Sequence, residues 1–129
     1  MEITANALQI VNENQNVLFT DTVTNGNCSI AHREGSGLIT LKGVTSCQCR
    51  ARFKVSFGGN IAIPTGGTVE AISLALSIEG EPVPTTTMIV TPAAVEQYFN
   101  VFGAIFIDVP KSCCLTVAVK NISTQPIEI

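Results

Sequence analysis

QYFNVFGAIFIDVPKSCCLTVAVK, residues Gln97–Lys120, decides how the rest of the chain is read. Two β-strands joined by a tight turn at Pro110–Lys111–Ser112 are expected here. In the second, Leu115, Val117 and Val119 alternate with Thr116, Ala118 and Lys120. The first is apolar on both sides. Phe99, Val101, Ile105, Ile107 and Val109 point one way, and Tyr98, Phe102, Ala104 and Phe106 the other. An antiparallel strand ordinarily shows one face to water, so a strand that is apolar on both faces needs two covers. In a small chain, a second copy of the chain most readily supplies the second. A symmetric β oligomer is therefore expected, with Tyr98, Phe99, Phe102, Ala104 and Phe106 at the contact.

Composition points the same way. The chain has 129 residues, enough for one domain spanning 1–129 with a single core. It is 46% hydrophobic and 13% charged, with a mean hydropathy of +0.39. An average soluble domain is roughly 25% charged, so this chain lacks the charges to cover itself. No apolar run reaches the ~18 residues of a membrane-spanning helix, and membrane insertion is not expected. MEITANALQI has no basic region followed by an apolar run, so no secretory signal is expected. A net charge of −3 without a basic block argues against nucleic acid as a partner. Burial in an assembly remains.

The rest of the chain reads as short strands and turns. Residues 3–11 form an edge strand with Ile3, Ala5, Leu8 and Ile10 inward, and Val17–Thr20 a second strand. Asn25-Gly26 is the strongest short turn signal. Strands follow at Cys28–His32 and Leu38–Lys42. In Cys49–Phe57, Ala51, Phe53, Val55 and Phe57 alternate with Arg50, Arg52, Lys54 and Ser56, and Gly58-Gly59 ends the run. Thr68–Ile78 is a long strand whose outer residues, Ser73, Ala75 and Ser77, are small enough to be packed closely by something else. Thr85–Val90 is a strand, Pro92–Gln97 one helical turn, and Pro126–Ile129 a stub of strand. About ten short strands at even spacing make an all-β antiparallel sandwich or barrel.

The order of these features carries a resemblance. A Gly-x-Ile-x-Leu-x-Gly strand at Gly37–Gly43 precedes the aromatic strand Ala51–Phe57, a strand ending in Gly80, and the strands from Phe99 to Val119. From about Asn16 to Ile127 this resembles the trimeric jelly-roll domains of the tumour-necrosis-factor-like superfamily, which includes the globular heads of collagen-like complement proteins. It is most similar to bacterial and phage-encoded members, through TGGTV, IEGEP, MIVTPAAVE, YFNV, IDVP, CC and VKN. The resemblance implies a jelly-roll β-sandwich and a non-enzymatic homotrimer without cofactor. It also implies a place in a virion, as capsid decoration or fibre beside other virion or surface proteins. The alternative it implies is a trimeric receptor- or ligand-binding head on a bacterial or extracellular surface, using loops such as Thr22–Gly26 and Gly80–Thr87. One departure stands out. Such domains end in a full apolar strand at the centre of the trimer-facing sheet, whereas this chain reads Pro126-Ile127-Glu128-Ile129 there.

Candidate chemistry is sparse. If the fold holds, Cys47, Cys49, Cys113 and Cys114 gather at one end of the sandwich. Three readings stay open for them: buried thiols acting as small hydrophobes, disulfides pinning strand ends, or a metal. Cys-x-Cys and Cys-Cys spacings are poor for tetrahedral zinc, so no metal, catalytic or cofactor-binding residue is assigned. The sole histidine, His32, reads as a solvated loop residue. Asp108 reads as a turn cap. The stripe Arg50, Arg52 and Lys54 reads as a solvated face or as ion pairs with Glu79 and Glu81. Gly58-Gly59 and Gly66-Gly67 read as turn glycines. Asn27-Cys28-Ser29 and Asn121-Ile122-Ser123 are glycosylation sequons with meaning only on a secretory route.

Overall fold

Period-two alternation lets a strand put one face on a core and the other elsewhere, and here it builds strands throughout. The computed structural model describes every residue except 6, 25–29, 44–49 and 111–113. In chain order the strands are β1 (Glu2–Thr4), β2 (Ile10–Val11), β3 (Asp21–Thr24), β4 (Ile30–His32), β5 (Ile39–Lys42) and β6 (Arg50–Ile61). They continue with β7 (Ile72–Ile78), β8 (Glu81–Pro82), β9 (Met88–Val90), β10 (Phe99–Pro110), β11 (Cys114–Asn121) and β12 (Ile127–Glu128). A single 3₁₀ turn at Pro84–Thr86 is the only helical element among the described residues.

All pairings among the described residues are antiparallel. One sheet runs β4-β5-β11-β7-β8, with β9 pairing the other end of β7. The second is built from two ladders, β10-β6 and β12-β2. They join where Ala62, just past β6, exchanges two 2.9 Å hydrogen bonds with Glu128. β1 pairs β3 beside it. The core lies between the two layers. Val11, Phe57, Ile61, Val101 and Ile127 from one meet Ile72, Leu74, Leu76, Met88 and Val119 from the other. The molecule is an all-β antiparallel sandwich. The chain crosses between layers repeatedly: β5 in one, β6 in the other, β7 back, β10 across, β11 back, β12 across.

Several local expectations change once tertiary partners act. β10 and β11 are not a hairpin. Among the described residues β10 pairs only β6, whereas β11 lies between β5 and β7 in the opposite sheet. β6 does not stop at Gly58-Gly59, because the β10 ladder holds it extended to Ile61 opposite Phe99. Gly59 is there for room: a Cβ would stand 3.1 Å from Phe57 Cζ. β7 begins only at Ile72. Its small residues Ala75 and Ser77 are closed off from solvent by the chain itself, so they need no outside partner. Thr85–Thr87 do not continue a strand. Thr86 turns inward, where its hydroxyl lies 3.0 Å from the Leu76 amide and 2.7 Å from the Val83 carbonyl. The run 3–11 is split into β1 and β2, leaving Leu8 and Ile10 exposed and Val11 buried in their stead. Val17 and Phe19 are buried, but Val17–Thr20 is not a strand: isolated bridges form at Asn16 and Phe19 instead. Residues 92–97 form bends and a turn, not a helical turn. The Asn25-Gly26 turn lies outside the described residues.

Candidate interaction surface

β6 and β10 pair in register over twelve residues each, from Arg50 opposite Pro110 to Ile61 opposite Phe99. Alternation then sorts their side chains. Val101, Ile107 and Val109 are buried. On the outer face Arg52 stands opposite Asp108, Lys54 opposite Phe106, Ser56 opposite Ala104, Gly58 opposite Phe102, and Asn60 opposite Asn100.

This face has a polar rim and an apolar centre. At one end Arg52 grips Asp108 with two hydrogen bonds, Nε–Oδ1 at 2.8 Å and Nη2–Oδ2 at 3.2 Å. That hydrogen bond first, and the carboxylate's charge second, raise the guanidinium's pKa above its ordinary value. At the other end Asn100 Nδ2 donates to Asn60 Oδ1 at 3.3 Å. Between them Phe102 is 67% exposed and Phe106 66%, with Ala104 exposed in the middle. Lys54 Nζ stands 5.9 Å from the Phe106 ring centroid, a cation–π contact. Gly58 leaves the Phe102 ring uncovered on its partner side, since a Cβ there would approach that ring to 3.6 Å. An apolar centre within a polar rim is the anatomy of a protein–protein contact, and large exposed apolar patches are uncommon on monomers.

Tyr98 and Phe99, each 41% exposed, stand where β10 begins. Phe99 has the inward parity but sits at the sheet's end. The Tyr98 phenol is pushed up to about 12, first by loss of solvent, then by donating to the Glu128 carboxylate, then by the charges of Glu128 and Glu96. Glu96 is held below the usual carboxylate range, chiefly by the Thr65 hydroxyl at 2.9 Å and then by its hydrogen bond with Glu128.

The remaining sequence candidates separate. The start of β6 does lie beside the end of β10. Of the cysteines, Cys114 is exposed at the start of β11 opposite Lys42. Cys47, Cys49 and Cys113 lie outside the described residues, as do Cys28 and its sequon. Among the described residues no three His, Cys, Asp or Glu side chains gather as a metal site would require, and no helix is long and apolar enough to cross a membrane. His32 is not a solvated loop residue. It ends β4, is half-buried, has Nε2 2.9 Å from the Ser36 carbonyl, and meets Phe19 edge-on. Asp108 pairs with Arg52, and the turn it was expected to cap lies in part outside the described residues. Glu79 instead accepts from the Thr116 hydroxyl and backbone amide.

Two features carried no local signal. Asn121 of the second sequon is fully buried. Its Nδ2 donates to the Val11 and Gln125 carbonyls at 2.9 and 3.0 Å, and its Oδ1 accepts from the Ser123 amide at 2.9 Å. It is a structural hub, closed to glycosylation in the folded state. The second is a cleft of about 960 Å³ between β1 and β6. Compared with protein families and with curated proteins, the chain gives no match.

Proposed function

We propose that the protein is a non-enzymatic assembly module, a jelly-roll subunit that forms a homotrimer through the outer face of β6 and β10 and serves a phage virion as capsid decoration or fibre. One observation carries the oligomer: Phe102 and Phe106 stand two-thirds exposed on a continuous twelve-residue strand pair, framed by Arg52–Asp108 and Asn60–Asn100. Burying each ring contributes about 1.5–3 kcal/mol per copy, and a closed symmetric ring repeats that gain at every contact. The back-and-forth passage of the chain between layers supports the jelly-roll reading. The three-fold symmetry and the virion rest on the resemblance in TGGTV, IEGEP, MIVTPAAVE and YFNV.

Light scattering on the purified chain tests the assembly. The expected mass is three times the 13.6 kDa protomer. Phe102→Asp with Phe106→Asp is expected to give a folded monomer with an unchanged far-ultraviolet circular dichroism spectrum. A monomeric parent, or a trimer that survives both changes, overturns the interface. Mass spectrometry of purified particles tests the virion, and a particle without the chain overturns that placement.

A further inference from the structure

One carboxyl group on the outer face of the β2-β12-β6-β10 sheet is buried. Glu128 of β12 is only 9% exposed. Residues directly opposite on paired strands share a face, and Glu128 stands opposite Ile10 on one side and Ala62 on the other. Ala62 comes two residues after Asn60, so it takes the same outward side. Tyr98 precedes Phe99, which pairs Ile61, and this register sets Tyr98 beside Ala62. One row therefore crosses the outer face: Ile10, Glu128, Ala62, Tyr98. It adjoins the Asn60–Asn100 row, beyond which stand Phe102 and Phe106. The Tyr98 hydroxyl reaches over the buried Ala62 to donate to the Glu128 carboxylate. Ile10 and Tyr98 are exposed, so the row continues the face on which the two phenylalanines stand.

A second acid meets this row. The Glu96 backbone amide donates to the Ile63 carbonyl at 2.8 Å, which holds Glu96 next to the Ala62–Glu128 bridge. Glu96 Oε1 accepts from the Thr65 amide at 3.0 Å and the Thr65 hydroxyl at 2.9 Å. The Glu96 and Glu128 carboxyl groups hydrogen-bond each other. Such a bond requires a proton between the two groups, because an ionised carboxylate only accepts. Without that proton two negative charges meet. Among the described residues the ionisable groups that act on Glu96 and Tyr98 all belong to this cluster of Glu96, Glu128 and Tyr98, and no lysine or arginine is among them. Glu70, on the adjoining loop, is turned to the Thr124 hydroxyl at 2.8 Å.

We propose that assembly through this face is regulated by the proton shared between Glu96 and Glu128, so that copies associate more tightly as the pH falls. This rests on the contact proposed above. A second copy laid over the face covers Ile10 and Tyr98 and takes water from the acid pair beside them. The row is already short of water, since loss of solvent is the first cause of the raised Tyr98 pKa. Charge is costlier where water is removed, so the assembled state holds the shared proton more firmly than the free copy does. The two acids titrate as one pair. The state that binds the proton more tightly is favoured as the pH falls and loses that advantage as the pH rises through the pair's titration. With one proton per copy, the association constant of three copies falls by up to about a thousandfold per pH unit within that window.

The test follows the full chain by sedimentation through a dilution series, at steps across about pH 5–8, where a proton shared by two carboxyl groups is lost. The protein concentration at which the parent dissociates is expected to rise by about tenfold or more over that range. In Glu128→Gln an amide N–H replaces the shared proton toward Glu96, and Glu96→Gln does the same toward Glu128. Both variants should stay as tightly associated at the high-pH end as the parent is at the low end, with a flat profile. Glu34→Gln, between β4 and β5, controls for net charge and should keep the parent's profile. Circular dichroism checks the fold, and either glutamine variant at the pair decides the question alone. An assembly indifferent to pH, a pH dependence that persists in a folded Glu128→Gln or Glu96→Gln chain, or one equally abolished by Glu34→Gln overturns the regulation and leaves the contact standing. A chain that is monomeric at every pH, in the parent and in both variants, overturns the contact and the regulation with it.

Discussion

Asn121→Ala removes the side chain that ties three segments together. Its amide bonds the carbonyls of Val11 and Gln125, and its oxygen takes the Ser123 amide. Each lost hydrogen bond costs about 1 kcal/mol net, and a buried donor left without a partner, here the Ser123 amide, costs about 1–3 kcal/mol. The two carbonyls retain second lone pairs and suffer less. The expected loss is therefore about 3–5 kcal/mol, a large share of the ~5–15 kcal/mol that holds a domain together. In urea, with a slope of about 1–3 kcal/mol per molar, the midpoint should fall by roughly 2 M. Circular dichroism through a urea titration reads it. Asn121→Asp separates hydrogen bonding from packing. It keeps size and the acceptor for Ser123 but sets an anionic oxygen against two carbonyls. It should be at least as destabilised as the alanine variant at neutral pH and should recover as the pH falls. A loss below about 1 kcal/mol in the alanine variant would refute the hub, because the stranded Ser123 amide alone should exceed that.

Tyr98 is the sole tyrosine and the chain has no tryptophan, so absorbance at 295 nm titrates it alone. Its midpoint should lie near 12 rather than 10, and a midpoint at the ordinary value contradicts the cover and the neighbouring carboxylates. A raised folded pKa means that this contribution to stability is full below pH ~10 and is lost as the pH rises through ~12. Gly37→Ala should destabilise by about 1–3 kcal/mol in the same urea assay, since a Cβ there would stand 2.7 Å from the Val17 carbonyl oxygen and 2.9 Å from Asn16 Cβ. Arg52→Ala should leave the urea midpoint nearly unchanged, because the Asp108 pair is solvent-exposed; a large drop would show that the pair anchors the sheet.

The alternation in 98–109 was legible without coordinates, and it placed Val101, Ile107 and Val109 inside and Phe102 and Phe106 outside. Period two is a local property of a strand, so it survives whatever the strand pairs with. The partner of Arg52 was not legible. It depends on the register of β6 against β10, which sets Arg52 opposite Asp108 rather than Glu79 or Glu81. The role of Asn121 was hidden for a similar reason. Its three bonds reach Val11, Ser123 and Gln125, and the first is 110 residues away in sequence.

By itself, the sequence determined the all-β class, most strand positions and which face of β10 is left bare, because residue type and alternation act within a few residues. The tertiary structure alone decided the sheet in which each strand lies. Residues 111–113 are all that separate β10 from β11, yet the two strands lie in opposite layers. β12 is two residues long, yet it takes an inner place between β2 and the end of β6. Pairing is a competition between strand edges far apart in sequence. Its outcome includes the cleft between β1 and β6, which no local pattern encodes.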